Sequence, residues 1–358
     1  QGSGRRPLAD RLGVQAVWLS LAAGVAVAGF AIALAEPLVG VLGGEGRTAD
    51  YAVTYLRIAA LGLPFAFLAL GAQGYLRGIS DLRTALVIVI VANAVNVVLE
   101  LLFVYGFEWG IEGSAWGTVI AQAGMGAAFA WRLWGALRQD PRPRVDLMRR
   151  LLTIGRYIFV RTAALVASFL LASAVIARFG DASLGAHQIA FQLWFFLALV
   201  LDAIAIAGQV IVGRSLGAGD TEGAYAASAR MIWLSVVAGA IFAAVLLALE
   251  PVLARAFTGD AEVLERASAI WPIFALMQPL NGAAFALDGI LIGAGDGRYL
   301  MWSMLAAFAA SAAVALAALA FDWGVVGVWM ALLVLILVRV AALGARFGRR
   351  RWLVTGWT

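Results

Sequence analysis

Three polar side chains in apolar surroundings have the types and the spacing to bind and release a proton. Glu100 and Thr118 are equally far from Trp109-Gly110, where a turn would join two helices, so a helical hairpin would hold both at one depth. Asn96 lies one helical turn before Glu100 on the same face. Burial of a carboxyl group favours its neutral form, which permits proton exchange near neutral pH. We predict an ion-coupling cluster of Asn96, Glu100 and Thr118; the alternative is a carboxylate that reaches the outer membrane surface.

A second set of charges lies in the C-terminal half. Arg161 and Asp202 are equally far from a turn at 180–181, and each is about ten residues, or ~15 Å, inside its helix. An unpaired charge at that depth in a membrane is costly, which favours an ion pair. The pair would be either a structural link or a movable gate, and Asp288, in a later helix, would join it.

Three more residues are candidates for the same cavity: Gln192, Gln209 and His187. We interpret His187 as a hydrogen-bonded structural residue at the outer membrane interface; the alternative is a proton relay, for which histidine is chemically suited. The chain has one histidine and no cysteine, which excludes a multi-histidine or thiolate metal centre. We therefore predict no metal site.

Membrane helices must position these residues, because 63% of the chain is hydrophobic and 13% is charged. A soluble domain is about half apolar and about a quarter charged. Apolar stretches of ~20 residues are long enough to cross a membrane. The sequence predicts an all-α polytopic membrane protein with ten such helices, at 12–36, 53–76, 83–105, 111–134, 151–178, 184–212, 225–249, 267–292, 299–321 and 324–346.

The arginines predict the orientation of these helices. All 26 basic residues are arginine, and they are concentrated in alternate connections, in 135–150 and after 345. Basic connections face the cytoplasm, so both ends of the chain are expected there. The net charge of +5 follows from this distribution. No basic arm or nucleic-acid-binding signature is present, and no nucleic-acid partner is predicted.

The second half of the chain repeats the first at an offset of 215 residues. The matching pairs include Trp18 and Trp233, Pro64 and Pro279, Gly78 and Gly293, Asp81 and Asp296, and Arg83 and Arg298. Duplicated helical bundles are typical of transporters. The two helices predicted at 151–212 have no counterparts in the first half. We therefore expect a parent of twelve helices, in two like-oriented lobes of six, whose first two helices are missing here.

This repeat predicts three regions. Residues 1–134 would form a truncated N-terminal lobe of four helices, and residues 151–358 a C-terminal lobe of six helices with a basic tail. Residues 135–150, which contain two prolines and many charges, would be a cytoplasmic linker. The polar clusters would lie inside the lobes, around a shared cavity.

Several segments resemble the multidrug and toxic compound extrusion (MATE) family. They are 75–81 (YLRGISD), 93–100 (NAVNVVLE), 113–118 (GSAWGT) and 217–220 (GAGD). The segments 184–190 (LGAHQIA) and 287–290 (LDGI) resemble its DinF-like bacterial branch. The resemblance extends over essentially the whole chain, as the third to twelfth helices of the family.

The resemblance implies a secondary antiporter rather than an enzyme. Such proteins exchange protons or sodium for organic, often cationic or amphipathic compounds by alternating access, and need an ion gradient but no cofactor. The family's coupling network would fall on Asn96, Glu100 and Thr118, although the family more often has Asp where this chain has Glu100. We expect a monomer that contacts membrane lipids, in a bacterial plasma or inner membrane.

Three alternatives stay open. A lipid-linked-saccharide flippase of the wider superfamily would need a more cationic cavity, and internal arginine is sparse here. A chain that lacks two helices could be a non-transporting product. A polytopic membrane enzyme would need a metal site, a paired carboxylate site or an activated nucleophile, and the sequence suggests none.

Overall fold

The computed structural model describes residues 6–41, 43, 45–139 and 142–355. These residues form helices and turns, without a strand among them. The residues at both chain ends, predicted to be cytoplasmic, lie outside the described part. Contacts divide the chain into an N-terminal unit, which extends to Leu152, and a C-terminal unit, which begins at Thr153.

The N-terminal unit consists of seven described helices and the start of an eighth. They are α1 (Arg6–Ala33), α2 (Ala35–Val41), α3 (Gly46–Ala60), α4 (Leu63–Gly78), α5 (Leu82–Leu101), α6 (Gly110–Arg132), α7 (Trp134–Gln139) and the first turns of α8 (Val145–Ile176). A π-helical segment, Leu102–Gly106, continues α5. Helix α1 packs along α4, and α6 packs against both α4 and α5.

The C-terminal unit continues α8 and adds seven described helices. They are α9 (Asp181–Gly217), α10 (Thr221–Ala248), α11 (Glu250–Phe257), α12 (Ala261–Leu276), α13 (Gln278–Gly293), α14 (Gly297–Ala320) and α15 (Gly324–Gly348). Helix α13 is the most enclosed, since it packs on α9, α10 and α15. Most of its residues are buried, so a polar group on α13 is held away from water and lipid.

Length and hydropathy identify most of the expected membrane spans. In the described residues, seven single helices are long and apolar enough to cross a membrane, and nine spans result if α3 with α4 and α12 with α13 each count as one bent span. Those pairs bend by 48° and 47°. The tenth expected span, 111–134, coincides with α6, which has 23 residues but is less apolar because glycine, threonine and glutamine interrupt it. The chain is a multi-pass, all-helical membrane protein.

The repeat is visible as matching contacts in the two units. Arg132 binds Asp81 at 2.7 Å in the N-terminal unit, and Arg346 binds Asp296 at 2.6 Å in the C-terminal unit. Each aspartate immediately precedes a helix, α5 or α14. Each pair therefore closes the same end of a helical hairpin, α5 with α6 and α14 with α15.

The charge of Asp81 is stabilised by its neighbours. Burial by itself raises the pKa of this carboxyl group, but hydrogen bonds from Thr84 and Arg132 and the positive charge of Arg132 hold the pKa below its ordinary value. The backbone N–H of Thr84 also donates to the carboxylate at 3.3 Å, which caps the start of α5. Ionised Asp81 thus joins the ends of α5 and α6.

Glycines show where the two units agree and where they differ. A Cβ atom on Gly24 would lie 2.7 Å from Pro64, and one on Gly239 would lie 2.8 Å from Pro279, so the two copies make the same close contact. By contrast, a Cβ atom on Gly289 would lie 2.2 Å from the carbonyl oxygen of Ala205 on α9, whereas a Cβ atom on its repeat partner Gly74 would have no neighbour within 4 Å. Only the C-terminal copy uses this glycine for contact between helix backbones.

A buried glutamine fixes the segment between α7 and α8. Gln15, on α1, is 1% exposed. Its Nε2 donates to the carbonyl oxygen of Arg142 at 3.1 Å, and its Oε1 accepts from the backbone N–H of Arg144 at 2.8 Å. Part of the predicted linker is thus bound to the first helix of the N-terminal unit.

Candidate functional site

The side chains of Asn96, Glu100 and Thr118 lie in contact. Glu100 Oε1 accepts hydrogen bonds from Asn96 Nδ2 at 3.4 Å and from Thr118 Oγ1 at 3.3 Å. The i and i+4 spacing on α5 aligns Asn96 with Glu100, and the hairpin brings Thr118 of α6 to the same depth. Asn96 Oδ1 is buried and has no hydrogen-bond partner among the described residues. Whether this cluster couples ions stays a prediction.

Glycines of α6 allow the close approach of α5. A Cβ atom on Gly117 would lie 3.3 Å from both the backbone nitrogen and Cγ of Glu100, and one on Gly113 would lie 2.9 Å from the backbone of Phe103. The π-helical segment Leu102–Gly106 begins two residues after Glu100. Such segments frequently occur at functional sites in helical proteins. The backbone of α5 at Glu100 therefore lies close against α6, and it departs from regular α-helical geometry two residues later.

The C-terminal unit contains a buried charge cluster on three helices. Asp288 Oδ2, on α13, accepts from the guanidinium groups of Arg161 on α8 and Arg339 on α15. The side chains of Arg161, Asp288 and Arg339 are 13%, 8% and 3% exposed. Buried charges are tolerated when they are paired and hydrogen-bonded. The cluster therefore ties α8, α13 and α15 together through one carboxylate oxygen.

The structure bears out part of the cluster expected from the sequence and adds one residue to it. Arg161 pairs with Asp288, and Asp202 lies at an exposed position on α9. The pairing of Arg161 with Asp202 stays a prediction. Arg339 was missed, although a charged residue in the middle of apolar α15 was the signal that could have revealed it.

The three remaining candidates all lie on α9 and differ in burial. His187 is fully buried, and its Nε2 lies 3.1 Å from Ser173 Oγ. Gln192 is exposed, and Gln209 is half-buried on α9. A small cavity of about 10 Å³ in the C-terminal unit is lined by apolar side chains only: Phe169, Phe191, Trp194, Met277, Trp329, Leu332, Leu335 and Ile336. None of the three candidates lines it.

A pair of buried amides lies at the bend between α12 and α13. Gln278 and Asn281 are 1% and 0% exposed. Gln278 Nε2 donates to the carbonyl oxygen of Phe274 at 2.8 Å, and Asn281 Nδ2 donates to Gln278 Oε1 at 3.3 Å. Pro279, which has no N–H group, follows the bend. Side chains therefore supply hydrogen bonds where the backbone ladder is interrupted.

The described residues hold no group of three or more His, Cys, Asp or Glu side chains that could bind a metal ion. Asp288 instead accepts from two arginines, and Glu100 accepts from an amide and a hydroxyl group.

Comparison with known proteins gives a consistent result. Residues 1–102 and 158–319 match the MatE family. Protein DETOXIFICATION 43 from Arabidopsis thaliana is 33% identical over 90% of this chain and 62% of its own length. DNA damage-inducible protein F from Escherichia coli is 28% identical over 96% of this chain and 76% of its own length. The chain spans about three fifths of the plant relatives that it matches, with coverage of 61%, 57% and 62%.

Solved structures share the fold. A MOP superfamily transporter from Pyrococcus furiosus superposes with a TM-score of 0.85 at 18% identity, over 98% of this chain and 80% of that chain. A MATE structure in a bent conformation gives a TM-score of 0.84 at 17% identity, over 96% and 83% of the two chains. At this level of identity the likeness concerns the fold.

Proposed function

Because this chain belongs to the MatE family, we propose that it is a secondary antiporter rather than an enzyme. It would export organic, cationic or amphipathic compounds in exchange for protons, or for sodium, by alternating access. Related proteins from mouse are named multidrug and toxin extrusion proteins. We further propose that it acts as a monomer in a bacterial plasma membrane, with both termini cytoplasmic and with an ion gradient as its energy source.

The observation that carries the proposal is the hydrogen bonding of Glu100. Ionised Glu100 accepts from Asn96 Nδ2 and Thr118 Oγ1. A protonated carboxyl group becomes a donor, and the buried Asn96 Oδ1 needs one. Proton uptake would therefore favour a bond from Glu100 to Asn96 within α5 and weaken the bond that Glu100 accepts from Thr118 of α6, so that one protonation state would favour one geometry of the hairpin. This is the link that a proton-coupled transporter requires, and it favours protons over sodium.

The test is transport by the chain reconstituted in lipid vesicles. Ethidium, a flat organic cation, serves as the substrate, and a pH gradient is imposed with and without an equal sodium gradient. We expect ethidium movement driven by the pH gradient. Glu100→Gln should abolish this dependence because the amide cannot exchange protons, and Thr118→Val, which keeps the shape but removes the hydroxyl donor, should weaken it.

A matched control is Glu36→Gln. The Glu36 side chain is 72% exposed and pairs with Arg57 at the surface, so its neutralisation should leave ethidium transport unchanged. Gradient-driven transport that persists in Glu100→Gln would remove this residue from the mechanism. Transport driven by sodium alone, in both the wild type and Glu100→Gln, would contradict proton coupling at this cluster.

A further inference from the structure

The chain beyond α15 folds back onto the first turns of α10. Phe347 stacks on Tyr225, with ring centroids 5.0 Å apart, and Trp352 stacks on Phe347, with ring centroids 5.5 Å apart. Trp352 is 1% exposed, and its Nε1 donates to the carbonyl oxygen of Phe347 at 3.2 Å. Three stacked rings therefore hold the end of the chain against the C-terminal unit.

This packing divides the three arginines at 349–351 into two kinds. Arg350 is directed toward the protein: its Cζ lies 4.0 Å from the ring centroid of Tyr225, and its Nη1 lies 3.0 Å from Glu222 Oε1. Its backbone is left-handed, with φ of 54°. Arg349 and Arg351 flank this turn, both are exposed, and neither has an acidic partner within the described residues.

The neighbouring helix ends adjoin the same turn. A Cβ atom on Gly213, near the end of α9, would lie 3.3 Å from the carbonyl oxygen of Gly293, at the end of α13. Arg346, in the last turn of α15, binds Asp296 at the start of α14. The ends of α9, α13 and α15 and the starts of α10 and α14 therefore form one end of the C-terminal unit.

Positive charge exceeds negative charge at this end. Its three acids are already engaged: Asp220 caps α10 by accepting from the N–H of Gly223, Glu222 pairs with Arg350, and Asp296 pairs with Arg346. Two more exposed arginines, Arg214 in the last turn of α9 and Arg298 in the first turn of α14, have no acidic partner in the described part of the chain. The surface thus presents guanidinium groups that need counter-charge.

We propose that this end of the C-terminal unit, with Arg349 and Arg351 at its centre, binds the phosphate groups of anionic lipids. Guanidinium groups bind phosphate through paired, charge-assisted hydrogen bonds. Arg349 directly follows Gly348, the last residue of a membrane-spanning helix, so both arginines lie where lipid headgroups are found. The aromatic stack and the Arg350 ion pair hold them in place before a lipid arrives.

The test measures retention of phosphatidylglycerol by the purified chain in mixed micelles with phosphatidylcholine, counted by native mass spectrometry. Wild-type protein should retain phosphatidylglycerol over phosphatidylcholine. The double variant Arg349→Gln with Arg351→Gln should retain roughly 25-fold less, since each basic residue near a lipid surface contributes about a factor of five. Arg349→Lys with Arg351→Lys should retain an intermediate amount, because the charge is preserved but the paired hydrogen bonds of the guanidinium groups are lost.

The matched control neutralises two exposed arginines elsewhere in the same unit, Arg178 and Arg255, and should leave retention unchanged. Soluble glycerol phosphate should not displace the lipid at equal concentration, which separates a headgroup in a membrane from a free anion. Equal retention by wild type and the Arg349 and Arg351 glutamine variant would overturn the proposal. An equal loss in the Arg178 and Arg255 control would also overturn it, because the binding would then be non-specific attraction by net charge.

Discussion

Replacement of Gly289 by alanine tests how closely α13 and α9 pack. The new Cβ atom would lie 2.2 Å from the carbonyl oxygen of Ala205 on α9 and 2.7 Å from the carbonyl carbon of the same residue. Ordinary van der Waals contact requires these helices to separate locally by about 1 Å. The opposing atoms belong to a helix backbone and cannot rotate away. Overpacking of this kind costs about 1–3 kcal/mol.

The repeat partner Gly74 supplies an internal reference for this change. Alanine at a mid-helix glycine gains about 0.5–1 kcal/mol in helix propensity, and Gly74 has no neighbour within 4 Å. Gly74→Ala should therefore be neutral or stabilising. Since the propensity gain is common to both variants, the difference between them isolates the cost of the clash. We expect Gly289→Ala to have the lower thermal unfolding midpoint in detergent, by several degrees.

Both variants should be compared by thermal unfolding at one detergent and protein concentration, with Gly293→Ala as a second variant. A Cβ atom on Gly293 would lie 2.5 Å from the carbonyl oxygen of Gln209, so this variant should behave as Gly289→Ala does. Equal midpoints for Gly74→Ala and Gly289→Ala would refute the reasoning. A stable Gly289→Ala protein would mean that α9 is not held against α13 at this position.

Three more predictions follow from described contacts. Asp288→Asn removes the counter-charge of Arg161 and Arg339 and should cost about 3–5 kcal/mol, seen as a large loss of thermal stability; a midpoint equal to the wild type would show that the arginines do not depend on it. Asp81→Asn should lower the thermal stability of the protein at neutral pH. Because the pKa of Asp81 is depressed in the folded state, the difference in stability between this variant and the wild type should shrink as pH falls below 3.8, the ordinary pKa of the group. A difference in stability that stays constant with pH would contradict this. Gln15→Leu should accelerate tryptic cleavage after Arg144, with cleavage after Arg349 as the control, and unchanged rates would show that Gln15 does not hold the segment.

Depth along a helix could be predicted from the sequence, whereas rotation about its axis could not. The distances of Glu100 and Thr118 from the turn at Trp109 correctly placed the two side chains in contact. The same reasoning placed Arg161 and Asp202 at one depth and left Asp288 as a further partner, which Arg161 does bind. The partners of a buried charge depend on which face of each helix is buried, and uniformly apolar helices give little periodic signal for that.

The duplicated pattern predicted more than the hydropathy alone. The offset of 215 residues aligned Asp81 with Asp296. Each of them binds an arginine in the last turn of the second helix of its hairpin, α6 or α15. The repeat did not predict that Arg339 takes part in the buried charge cluster, because it does not require a charge at that position of α15. The breaks within two of the expected spans were also not predicted, although Pro64 and Pro279 mark them.

The buried amides beside Pro279 have a mechanical consequence for the path from α12 to α13. In an unbroken helix, a change of direction must stretch backbone hydrogen bonds, whereas here the long side chain of Gln278 spans the discontinuity. The 47° bend therefore leaves the carbonyl oxygen of Phe274 paired although the backbone ladder is interrupted. It also sets the direction in which α13 carries Asp288 to Arg161 and Arg339.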